Sequence, residues 1–145
     1  MTRSPLPCTP PFELRARLAV RRSRISGRGA FALEPIAARR KIGELTGERI
    51  SVRTARRRAR GQATIAIVEL SASLAIDASQ SRSPIRFVNH ACTPNCYLRI
   101  AYERIELYAL RAIAPGEELT CDYGTTHHEG HLACRCASPG CRGWI

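Results

Sequence analysis

Residues 14 to 21, "LRARLAVR", alternate apolar and basic positions, with Leu14, Ala16, Leu18 and Val20 on one side and Arg15, Arg17 and Arg21 on the other. A period of two predicts a half-buried strand. "SGRGAFALEPI", 26 to 36, reads as a glycine-paired turn running into a short apolar segment. "RKIGELTGERIS" predicts a further strand, broken by Gly43 and Gly47. "VRTARRRARG", 52 to 61, has the composition of a short helix closed by Gly61. Residues 64 to 79 are β-rich, with Ile65, Ile67 and Val68 followed by Leu74 and Ile76. "SPIRFVNHA" predicts a strand entered through Pro84. Residues 96 to 124 predict a two-stranded hairpin, a turn at Pro115-Gly116 and a last short strand. Many short strands with few short helices point to a mostly β fold of several short sheets.

The 145 residues suffice for one domain with its own core. No apolar run approaches the roughly 20 residues of a membrane span, so no membrane role is expected. The segment "MTRSPLPCTPPF" carries four prolines and no apolar stretch of the secretory kind, so residues 1–13 are expected to form a mobile tail. The charge is lopsided: 23 basic against 12 acidic residues, net +11, with Lys41 the only lysine. Arginine is spread along the chain, which is compatible with ordinary solvated faces. The dense block 52–61 is the exception, and such a block can contact the phosphates of nucleic acid. Seven cysteines are an odd number. Without a secretory signal they point to a reducing intracellular compartment, where clustered cysteines favour metal over disulfides.

Two cysteine groups carry candidate chemistry. "RFVNHACTPNC", 86 to 96, can be a disulfide loop, a metal knuckle, a nucleophile site or a ligand-binding wall. Cys134, Cys136 and Cys141 form C-x-C-x4-C, three thiolates able to converge on one Zn²⁺. A closed tetrahedral site needs a fourth ligand, for which His131, Cys92 and Cys96 are all candidates.

The ordered blocks "SGRGAFA", "RFVNHACTPNC", "PGEELTCDYG" and "CRCASPGC" resemble a SET-domain protein lysine methyltransferase with a post-SET zinc-binding tail. The resemblance covers nearly all of residues 14 to 145. It implies a SET-domain β-clip fold with a C-terminal pseudoknot over 14–124, a variable middle segment near 51–80, and a post-SET tail over 125–145. It implies S-adenosyl-L-methionine as methyl donor and one structural Zn²⁺. By position, Ser26, Gly27, Arg28 and Gly29, Asn89, His90 and Arg135 match the cofactor-binding residues. Tyr123 matches the catalytic tyrosine. Cys92 matches the cysteine that joins Cys134, Cys136 and Cys141 on zinc, which leaves Cys96 as a bystander. The implied partner is a protein presenting a lysine, such as a histone or another nucleic-acid-associated protein of the nucleoid. The implied location is the cytoplasm, or the nucleus or nucleoid for a chromatin-directed enzyme.

The chain departs from the family pattern in the substrate channel. Leu45 stands where many members carry a tyrosine, and Cys121 where a phenylalanine or tyrosine limits the number of methyl groups. Ala66 lies near a common cofactor-contacting tyrosine, and Ala91 replaces a frequent serine. A wider, less polar channel is expected to allow more than one methylation. The competing reading is a non-catalytic SET-like zinc-stapled interaction module, which Leu45 and Ala66 favour. The intact Tyr123, Asn89, His90 and Gly27-Gly29 loop favour the enzyme. A basic enzyme is poorly matched to a basic lysine-rich substrate. Two resolutions are a groove made acidic by Glu103, Glu106, Glu117, Glu118, Asp122 and Glu129, or an arginine face that binds nucleic acid.

Overall fold

The structure, a computed structural model, describes residues 14–60, 66–124 and 133–145. Strands β1 (Leu18–Arg22) and β2 (Arg28–Ala32) form an antiparallel pair. β3 (Lys41–Leu45) and β4 (Glu48–Ser51) follow, then the helix α1 (Val52–Ala59). β5 (Ile67–Glu69) and β6 (Leu74–Asp77) complete a small sheet in the order β4-β6-β5. The remaining strands are β7 (Asn89–His90), β8 (Cys96–Ala101), β9 (Arg104–Ala109) and β10 (Thr120–Cys121). With β3 they build a five-stranded sheet ordered β3-β9-β8-β10-β7. The mostly β architecture read from the pattern is therefore present.

Two expectations change. The run 83 to 91 is not one strand: Pro84–Phe87 forms a 3-10 turn, and only Asn89 and His90 pair as strand. Ser83 caps that turn by accepting the Ile85 N–H at 3.2 Å. Pro84 opens it, because a residue with no N–H and a fixed φ suits the first turn of a helix better than a ladder. The alternation 14 to 21 is also divided. Pairing with β2 starts at Leu18, whereas Leu14 bridges to Gly43 and the Arg15 N–H donates to the Ile42 carbonyl at 2.8 Å. Leu14, Ala16 and Leu18 keep their inward side across the division, whereas Val20 is 36% exposed. The Gly47 break is present, whereas Gly43 stays within β3 at an irregularity of register. Gly61 and Ile65 lie outside the described residues, as do residues 1–13.

The feature that positions the site is the place of β10. It pairs in parallel with β7 on one side and β8 on the other. Those two strands are joined only by residues 91–95, so the late strand is received between the limbs of one short loop. This is the arrangement the expected pseudoknot requires. Two-residue strands give few ladder bonds, and the buried Asn95 adds the missing ones. Its Nδ2 donates to the Glu118 carbonyl at 2.8 Å, and its Oδ1 accepts the Thr120 N–H at 2.8 Å. Cys96, fully buried beside it, donates from Sγ to the same Oδ1 at 3.3 Å. Beneath lies the main core, including Ile42, Ile85, Val88, Ile105, Leu107, Leu119 and Cys121. A second, smaller core under α1 contains Ile50, Val52, Ala55, Ala59, Ile67 and Ala75.

Asn95→Ala would strand a buried carbonyl and a buried N–H, each costing about 1–3 kcal/mol. A loss of about 3 kcal/mol in urea unfolding is expected. A loss below about 0.5 kcal/mol would show that the amide does not hold β10 in place.

Candidate active site and metal centre

Asn89 brings the first two blocks together. Its Nδ2 donates to the Ser26 carbonyl at 3.1 Å, to the Arg28 carbonyl at 3.0 Å and to Glu118 Oε1 at 2.9 Å. Glu118 Oε1 also accepts from Ser23 Oγ at 2.7 Å. The glycine loop before β2 is therefore held by an amide from β7 and a carboxylate next to β10. Gly27 adopts φ +45°, a backbone requirement, whereas Gly29 leaves room for the Glu118 carboxylate, which a Cβ there would displace. Glu118 was weighed in the sequence only as one of several charges. Its part in the loop has no local sequence signal, because its partners lie 29 and 95 residues away.

Tyr123 follows β10 directly. Its hydroxyl donates to the Val88 carbonyl at 2.6 Å, and its N–H donates to His90 Nδ1 at 3.0 Å. Burial, with the nearby Cys121 and Glu118, pushes the phenol well above its ordinary value. The hydroxyl thus stays protonated and acts as a directed donor and dipole, not as a phenolate. Leu45 and Cys121 lie in the same apolar cluster, against which Tyr123 packs. Burial raises the thiols of Cys121 and Cys96 to about 12, so neither is a nucleophile.

The His90 ring is 3% exposed and edge-on to Tyr123, with centroids 5.3 Å apart. Burial lowers its pKa against the pull of Asp122, with Arg142 adding to the lowering. Since Nδ1 accepts from Tyr123, the neutral ring carries its proton on Nε2, which lies 3.4 Å from Cys92 Sγ. His90 therefore joins the tyrosine to the cysteine cluster.

That cluster is Cys92, Cys134, Cys136 and Cys141, with all four Sγ atoms within 4.8 Å of one another. A tetrahedron with Zn–S bonds of about 2.3 Å has edges of about 3.8 Å. Cys92 Sγ lies 3.8 Å from Cys134 Sγ and 4.0 Å from Cys141 Sγ, so the donor set fits a metal ion. Backbone N–H groups aim at the sulfurs, from Cys92 to Cys136 at 3.5 Å, Arg142 to Cys92 at 3.4 Å and Gly143 to Cys141 at 3.4 Å. Such donors orient ligands and temper their charge. Cys96 is outside the group, and His131 lies outside the described residues. Arg142, which the sequence did not single out, ties the tail back by donating to Asp122 Oδ1 at 2.8 Å. Arg135 is exposed between two of the cysteines.

The SET domain family model matches residues 27–124. The chain belongs to the SET-domain family. It is 38% identical over 136 residues to a histone-lysine N-methyltransferase, H3 lysine-4 specific, of Candida albicans, covering 86% of this chain and 13% of the relative. The Saccharomyces cerevisiae protein of the same description is 38% identical, with 86% and 13% covered. The histone-lysine N-methyltransferase trithorax of Drosophila virilis is 33% identical, with 88% and 4% covered. The chain thus spans only about an eighth or less of the length of these relatives. The match to the SET family includes the glycine loop, β7 and Tyr123.

Elemental analysis should find one metal ion per folded chain. Cys92→Ser should reduce that content as strongly as Cys136→Ser, while Cys96→Ser leaves it unchanged. Loss of metal in Cys96→Ser alone would reassign the fourth ligand.

Proposed function

We propose that this SET-domain chain is an S-adenosylmethionine-dependent methyltransferase acting on the side-chain amine of a lysine in a protein. The observation that carries the reading is the Asn89 clamp on the 26–28 loop, one strand away from Tyr123. The cofactor supplies an activated sulfonium methyl when bound. Ser26, Gly27, Arg28 and Gly29, with Asn89, His90 and Arg135, would hold it. Because the His90 ring is engaged by Tyr123 and Cys92, contact from that position falls to its main chain. Cys92, Cys134, Cys136 and Cys141 would hold one structural Zn²⁺, their thiolate set being the kind that Zn²⁺ accepts.

A lysine amine must lose its proton before it can attack, and its unperturbed pKa is near 10.4. An apolar wall containing Leu45, Val88 and Cys121 disfavours the ammonium form and keeps water out. Tyr123, tethered to the Val88 carbonyl, orients the reacting groups and needs no change of protonation to do so. The only lysine of the chain, Lys41, sits between Glu44 at 2.9 Å and Glu106 at 3.2 Å, which supports an acceptor on another molecule. The descriptions of the relatives make histone H3 the first substrate to try, and chromatin the corresponding place of action.

In a transfer assay with a histone H3 peptide and labelled cofactor, Tyr123→Phe should lower kcat on the order of 10²-fold by loosening alignment. Asn89→Ala should instead weaken cofactor binding in a calorimetric titration. Wild-type protein that binds the cofactor but never transfers methyl to any protein would support the interaction module instead.

With no bulky aromatic at 121 and leucine at 45, products beyond monomethyl-lysine are expected by mass spectrometry. Cys121→Phe should shift the distribution toward monomethyl. A wild-type product that stays monomethyl at long times would overturn that reading.

A further inference from the structure

The helix α1 presents two different faces. Val52, Ala55 and Ala59 are buried against the β4-β6-β5 sheet, which fixes the helix in rotation. The opposite face then carries Arg53, Arg57 and Arg60, spaced i, i+4 and i+7 and all exposed. Their neighbours are neutralised: Arg56 pairs with Glu69 at 3.1 Å, and Arg58 with Glu48 at 2.8 Å and Asp77 at 2.9 Å. Among the described residues, no side-chain hydrogen bond or ion pair engages Arg53, Arg57 or Arg60. The first turn of α1 has no acidic residue to complement its positive end. Beside it lies an open depression of about 750 Å³, whose lining includes Ser51, Arg53, Arg56, Arg57, Arg60 and Ser73.

We infer that this face of α1 binds the phosphate backbone of duplex nucleic acid. Arginine presents planar forks suited to phosphate oxygens. Arg53 to Arg60 spans about 10 Å along the helix, the rise of about three successive phosphates on one strand. Among the described residues, the lining of the depression contains no aromatic ring. Single-strand binders need stacking platforms, so this surface fits a duplex read without sequence preference. The acidic-groove alternative is weakened by the internal partners of the described carboxylates. Glu103 is paired with Arg49, Glu106 with Lys41, Glu117 with Arg111, and Asp122 with Arg142. Glu118 is engaged by Asn89 and Ser23. The site rests on α1 alone and does not depend on the methyl-transfer reading.

The test is fluorescence anisotropy with a labelled 20-base-pair DNA duplex from 50 to 200 mM salt. The variants are Arg53→Gln/Arg57→Gln/Arg60→Gln and, as a control of equal charge, Arg17→Gln/Arg22→Gln/Arg82→Gln. Three phosphate contacts contribute a slope of about −2.7 in log K against log salt, roughly a 40-fold loss over that range. The α1 variant should have a slope shallower by about that amount and bind at least 10-fold more weakly at 100 mM salt. The control should keep most of the wild-type slope. Equal losses in the two variants would reduce the effect to net charge and overturn the proposal, as would wild-type binding by the α1 variant. Tighter binding to poly-glutamate of matched charge than to the duplex would also overturn it, in favour of an acidic protein partner. Single Arg53→Gln and Arg57→Gln substitutions, each lowering the slope by about 0.9, guard against misfolding of the triple variant.

Discussion

Everything at the centre of this chain depends on two residues of backbone, Thr120 and Cys121, being held between β7 and β8. A two-residue strand cannot secure itself by ladder bonds. The Asn95 amide adds bonds to Glu118 and Thr120 where the strand enters, and the buried thiols of Cys96 and Cys121 close the space around them. Once β10 is seated, Glu118 on one side meets the glycine loop, and Tyr123 on the other meets Val88 and His90. Asn89, Glu118 and Tyr123 acquire their geometry from that one insertion, although Asn89 and its ladder partner Thr120 are 31 positions apart in the chain.

The positions that the sequence exposed best were those whose chemistry is rare. Cysteines at close spacing and an Asn-His pair before one of them are conspicuous in any chain. Their convergence follows the expected cluster, with Cys92 inside and Cys96 outside. The hairpin of β8 and β9 was also legible, because its alternation is long enough to be distinctive. Its turn was not, since Tyr102 and Glu103 both adopt positive φ without glycine. Arg49 compensates by bonding both the carboxylate and the carbonyl of Glu103, a partner 54 residues away.

Where the reading of the pattern failed, short segments were governed by distant partners. Pro84 looked like the start of a strand because the residues after it are apolar. Yet a capped 3-10 turn satisfies the same burial while leaving only two residues for the ladder. Asn95, Glu118 and Arg142 are ordinary polar residues by sequence. Each matters because the fold brings it to a group tens of residues away, and no local periodicity records that.

The cysteine cluster has one sulfur in the body and three in the tail, with Cys92 and Cys134 42 positions apart. A metal ion there would be a reversible crosslink that closes a long loop, and the chain entropy it removed would belong to the unlinked state. Cys92 lies in the short segment that receives β10, so its sulfur reaches the other three only when that segment is in place. The tail by itself presents a three-sulfur, open-sided site. Metal affinity would therefore report on the integrity of the body: ion capture and the seating of β10 would draw on one another, each raising the occupancy of the other state.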